Sequence, residues 1–126
     1  MLRCAFVVLA VLTAASPAAA QQMNAEAFFQ RATKLKGKGA LAIFSGGEIK
    51  KLTREGQAAG KASSARYKAA KEAGRPLPFC PPDGPQKMGS SEYMKRLGDI
   101  PQAERRRIDM TEATTRIMAA KYPCRA

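Results

Sequence analysis

Hydrophobic and polar positions along this chain alternate with helical spacing over most of its length. Phe28, Ala32 and Leu35 recur at intervals of three and four residues, which places them on one face of a helix. Asn24 is a good N-cap, Glu26 puts an acid where the helix dipole favours one, and Gly37 with Gly39 supplies a stop. Lys34, Lys36 and Lys38 crowd the far end, where cations suit the free carbonyls. The pattern predicts a first amphipathic helix over 25–36. Ala40-Leu41-Ala42-Ile43-Phe44 follows, ended by Ser45-Gly46-Gly47. Its length does not separate a strand from a helical turn, but its alanines and its surroundings favour helix.

From Glu48 to Ala73 runs a long stretch without proline, closed by Gly74-Arg75-Pro76. Ile49, Leu52, Gly56, Ala59, Ser63 and Ala70 share one face of it. Most of that stripe is small, which suits close approach of another backbone, from within the fold or from a second copy of the chain. Gly56 and Gly60 each cost about 1 kcal/mol against alanine, so a kink or break there stays open. Lys50, Lys51, Arg54, Lys61, Arg66, Lys68, Lys71 and Arg75 fill the other faces, as a solvated surface or as a binding stripe. Residues 75–89 hold Pro76, Pro78, Pro81, Pro82 and Pro85, so no helix or central strand continues through them.

Ser90 or Ser91 can cap a helix running to about Leu97, with Tyr93, Met94 and Leu97 facing inward. Gly98-Asp99-Ile100-Pro101 turns the chain, Pro101 fits a first helical position, and 102–107 reads as a short basic helical segment. Asp109-Met110-Thr111-Glu112 has capping-box spacing, and Met110, Ala113, Ile117 and Ala120, with Met118 at the margin, form the inward stripe of a last helix stopped by Pro123. No stretch has the alternation of a confident strand, and there is no internal repeat. The expected fold class is all-α, a small domain of four or five helices.

The front of the chain sets the compartment. Arg3, an apolar run from Ala5 to Ala15 and Ser16-Pro17-Ala18-Ala19-Ala20 before Gln21-Gln22 have the build of a secretory signal peptide cleaved after Ala20. The run is well short of the ~20 residues a spanning helix needs, so no transmembrane segment is expected after cleavage. Residues 21–126 then make one exported, periplasmic domain. Of three cysteines, Cys4 leaves with the leader, and Cys80 and Cys124 form an even pair in an oxidising compartment. A disulfide between them would close the segment from Phe79 to Cys124 at its base. The alternative is two buried thiols that never meet.

The chain carries 22 Lys and Arg against 10 Asp and Glu, a net charge of +12, so its partners should be acidic: a protein, an anionic lipid surface or a wall polymer. Export argues against nucleic acid. There is no histidine, which removes the commonest general base and metal ligand. No nucleophile–base pair, metal-ligand spacing or phosphate loop stands out, so no catalytic residue, metal or cofactor is expected and the chain reads as a binding protein, not an enzyme.

The second half has a familiar order. Phe79-Cys80-Pro81-Pro82, a helix ending at Leu97, Ile100-Pro101-Gln102-Ala103-Glu104-Arg105, and a final helix closing on Lys121-Tyr122-Pro123-Cys124 resemble the Tai/Rap-type immunity proteins over about residues 79–124. Those are periplasmic partners of amidase effectors delivered by the type VI secretion system. The resemblance implies a small, mainly helical, often homodimeric protein that binds a peptidoglycan-cleaving cysteine amidase and blocks its cleft. As contact candidates the residues themselves offer the stiff segment from Asp83 to Met88, with Gln86 and Lys87, and the basic turn Arg105-Arg106-Arg107. The other expectation is a basic envelope protein held electrostatically on anionic lipid or wall polymer, with no toxin partner.

Overall fold

The computed structural model describes residues 22–125; the predicted leader lies outside them. The expected all-α class holds. Among the described residues, five α-helices and one 3₁₀ segment follow in order: α1 (Ala25–Gly37), a 3₁₀ turn (Gly39–Ser45), α2 (Gly46–Glu72), α3 (Ser90–Asp99), α4 (Gln102–Arg105) and α5 (Met110–Lys121). Among the described residues the only β-type pairing is an isolated bridge between Asn24 and Asp109.

That bridge joins two helix starts. Asn24 caps α1, its Oδ1 accepting from the Glu26 and Ala27 amides at 3.0 and 3.2 Å, and its Nδ2 donates to the Arg106 and Ile108 carbonyls at 3.0 and 3.3 Å. The backbone adds Ala25 N–H to Ile108 O and Met110 N–H to Met23 O. Asp109 in turn caps α5 by accepting from the Glu112 amide at 2.8 Å. Only half of the expected capping box forms, because the Glu112 carboxylate pairs with Arg66 and Arg116 instead of returning to its cap.

α2 is continuous for 27 residues, so neither Gly56 nor Gly60 breaks it. It packs chiefly on α5. Leu52, Ala59, Ser63 and Ala70 are the buried part of its stripe, and Ser63 Oγ meets Thr115 Oγ1 at 3.0 Å. The small side chains thus receive a helix of the same chain. Ile49, at the head of the stripe, is exposed instead. The core gathers Phe28, Leu52, Leu97, Met110, Ala113 and Ile117, with Tyr93, Met94 and Ile108 packed against it. A smaller cluster lies beside the disulfide, where buried Phe79 stacks on Tyr67 with ring centroids 5.3 Å apart.

Several expectations shift. The N-cap of α3 is Gly89, not a serine, and no side chain caps that end; the helix then runs through Gly98 to Asp99. Pro101 is the residue before α4, not its first. α4 is a single turn that leaves Arg106 and Arg107 outside it. In α5 the buried face is Met110, Thr111, Ala113, Thr114 and Ile117, while Ala120 is exposed. The face is wider than one stripe because α5 packs on α2, α3 and α1 together. The 3₁₀ turn is helical as favoured, but its apolar residues are not covered: Leu41, Ile43 and Phe44 are 66%, 75% and 83% exposed.

Candidate binding surface

Cys80 and Cys124 are bonded, with a sequence separation of 44 residues, and the Cys80 amide donates to the Tyr122 carbonyl at 2.8 Å. The proline-rich segment therefore leaves the base of the molecule from a fixed point. Gly84 turns it at a φ of +94°, a left-handed value that suits glycine. Gln86 Nε2 staples the turn by donating to the Pro82 and Gly84 carbonyls at 2.8 and 3.0 Å. At the far end Lys121 Nζ donates to the Lys87 carbonyl at 3.2 Å and to Glu92 Oε2 at 3.0 Å. Lys121, followed by Arg96, holds the Glu92 carboxyl below the usual carboxylate range, so it stays charged at neutral pH. Asp83 to Met88 is thus held at both ends, which lowers the ordering cost of presenting it to a partner.

Two hollows flank that segment, and Met88 borders both. The smaller, about 190 Å³, has Gln86 and Lys87 on its rim and Phe79, Ser63, Thr114 and Met118 around it. The larger is an open groove of about 430 Å³ between α1, α2 and α3, with Phe28, Ala32, Leu52, Tyr93 and Met94 among its walls and Gly56 on its α2 side. Methionine and aromatic side chains adapt well to an incoming apolar group. Tyr93 is fixed by a 2.6 Å hydrogen bond with Thr114 Oγ1, and burial pushes its phenol up from the ordinary value, so it remains neutral. The groove has no pair of groups arranged for proton transfer. Among the described residues no group of three or more His, Cys, Asp or Glu could hold a metal ion.

The basic turn divides. Arg105 is a correction: it is 6% exposed and belongs to the interior. Its Nε donates to Glu26 Oε2 at 2.6 Å, its Nη1 reaches the Gly98 and Ile100 carbonyls, and the guanidinium lies 4.1 Å from the centre of the Phe29 ring. Glu26, expected only as a first-turn acid, accepts also from Gln30 and Gln102 at 3.0 Å each. Arg105, with help from Gln102, holds its carboxyl below the usual range. Arg106 and Arg107 stay exposed, beside the start of α1. No hydrogen bond among the described residues joins them to Asp83–Met88. The Glu26–Arg105 pair spans 79 residues, and no local pattern announces a partner so distant. The groove was equally hidden, since its walls come from three helices whose relative placement no periodicity encodes.

No protein-family model, curated protein or solved structure matches the chain. Among the described residues no helix is long and apolar enough to cross a membrane.

Proposed function

We propose that the exported chain is a binding protein acting by steric occlusion in the periplasm, like the Tai/Rap-type immunity proteins it resembles: it covers the cleft of a peptidoglycan-cleaving cysteine amidase. The observation that carries this reading is the use the fold makes of the residues behind the resemblance. Phe79 stacks on α2, Cys80 and Cys124 close the loop, Tyr122 receives the Cys80 amide, and the Arg105 guanidinium is held by the Gly98 and Ile100 carbonyls of the turn before Pro101. These residues build a scaffold. The surface left to set partner choice is the pinned segment Asp83–Met88 with the apolar groove beside it, a rigid rim around an adaptable floor.

The test is a pull-down from a periplasmic extract at moderate salt, followed by an amidase assay on peptidoglycan with and without the chain. One stoichiometric amidase whose activity falls on adding the chain is the expected result. Met94→Asp, which puts a charge in the groove, should weaken that association by about tenfold or more. Recovery of no amidase, or of one whose activity is unaffected by the chain, would refute the proposal.

A further inference from the structure

One end of the molecule is left out of that reading. Between Arg31 and Arg54 the chain carries Arg31, Lys34, Lys36, Lys38, Lys50, Lys51 and Arg54, and a single acid, Glu48. The end of α1 and the start of α2 bring part of this charge together. Arg31, Lys34, Lys38 and Lys51 line one open hollow of about 390 Å³, with Leu35 and Glu48. Glu48 is the only carboxylate there, 3.7 Å from Arg31, so the other cations face solvent without an acidic partner in the hollow. The 3₁₀ turn that joins the two helices adjoins this hollow, tied to it by Lys38 Nζ donating to Ser45 Oγ at 3.0 Å.

The turn itself leaves Leu41, Ile43 and Phe44 two-thirds or more exposed to water, and Ile49 on the first turns of α2, less exposed, adds to them. In a 3₁₀ segment residues three apart eclipse, so Leu41 and Phe44 stand on one edge. Bulky apolar side chains this exposed and this close together mark a surface that is covered in use. A cover must accept an apolar tip and supply several anions around it at once. An array of lipid phosphates above acyl chains does both, and needs no shaped pocket opposite the tip. Basic residues around a small apolar wedge are also the composition with which peripheral proteins sit in the headgroup boundary.

We infer that the end of the molecule formed by residues 31–51 docks on an anionic lipid bilayer, with the cations of the hollow on headgroup phosphates and Leu41, Ile43 and Phe44 in the acyl boundary. None of these cations or tip residues lines the groove proposed for occlusion, and either reading can fail alone.

The experiment uses the chain from Gln21, which contains the whole described core, with vesicles of phosphatidylcholine alone or mixed with phosphatidylglycerol. Co-sedimentation should favour the anionic vesicles by at least about tenfold. The triple variant Leu41→Ser, Ile43→Ser, Phe44→Ser should lose about tenfold or more of that binding, and Lys34→Ser with Lys38→Ser and Lys51→Ser a similar amount. All six positions are exposed in the fold, so thermal melting should be unchanged. The chain has no tryptophan, which makes Phe44→Trp a clean reporter: its emission should shift to the blue on anionic vesicles and be quenched by acyl-brominated lipid. Equal binding of both vesicle types, undiminished binding by the serine triple, or an unquenched tryptophan would overturn the inference. So would a dimer in solution that the serine triple converts to monomer, because a second copy would then be what covers the tip.

Discussion

Arg105 has its strongest partners inside the fold, and its chemistry explains why lysine cannot take its place. A buried guanidinium is tolerated only where its fork is filled, and here a carboxylate, two backbone carbonyls and an aromatic face fill it. A lysine ammonium lacks the planar fork and cannot reach the Glu26 carboxylate and the turn carbonyls together. Arg105→Lys should therefore destabilise the protein by about 2–3 kcal/mol and Arg105→Ala by about 3–5 kcal/mol, read as a lower urea midpoint. Arg106→Ser with Arg107→Ser, on the surface, should leave the midpoint within about 0.5 kcal/mol. The same pair sets a pH dependence. Glu26 has a folded pKa below its unfolded one, so its stabilisation is complete above the unfolded value and disappears as pH falls through the folded value. The melting temperature of the native chain should drop more steeply below about pH 4 than that of Glu26→Gln. Parallel curves would assign the acid sensitivity to other carboxylates.

Along α2 the question is what a small residue is for. Ala59 and Ser63 are small because α5 lies against them, whereas a methyl group added at Gly56 or Gly60 would meet nothing within 4 Å. Neither glycine has a positive φ, so both lower helix stability without a conformational reason. Gly56→Ala should raise stability by about 0.5–1 kcal/mol, seen as a higher melting temperature. Because Gly56 borders the groove, the same change would narrow it, and weaker partner binding in a more stable protein would locate the contact. The helices, their caps at Asn24 and Asp109 and the stripe from Leu52 to Ala70 were legible because capping and periodicity act within a few residues. What escaped was relative rotation. Ala120 faces water and Thr111 and Thr114 face inward because α5 packs on α2, α3 and α1, and one stripe cannot state which helices it will meet. The placement of Arg105 escaped for the same reason, the first of three consecutive arginines reading as surface until α1 is brought against it. Of the contact candidates, Gln86, Lys87 and Met88 do border hollows, while the groove's other walls could not be read from spacing alone.

At the scale of the molecule, the small core leaves much to the covalent tie. The C-terminal end of α5, the proline-rich segment and the base of α2 meet around Phe79, outside the main core, and the disulfide is what makes their meeting cheap in entropy. Closing a loop over a separation of 44 residues removes about 4 kcal/mol of unfolded-chain entropy in the loop-closure account. Domains of this size have about 5–15 kcal/mol in total, so the tie is a large fraction of the whole. Cys80→Ser with Cys124→Ser should lower unfolding free energy by about 4 kcal/mol, with much of the change in the reference state and not in native contacts. Hydrogen exchange would separate the two origins. A loss rooted in the unfolded chain speeds exchange of all globally protected amides, those of α2 included, by one common factor. A loss rooted in local packing speeds only the Cys80 amide and its neighbours near Tyr122. We expect the common factor, together with a urea midpoint that shifts equally for reduced native chain and for the double serine variant. An unreduced chain from Gln21 that still yields two alkylatable thiols would show the staple unmade, and the fixed presentation of Asp83 to Met88 would then have no covalent origin.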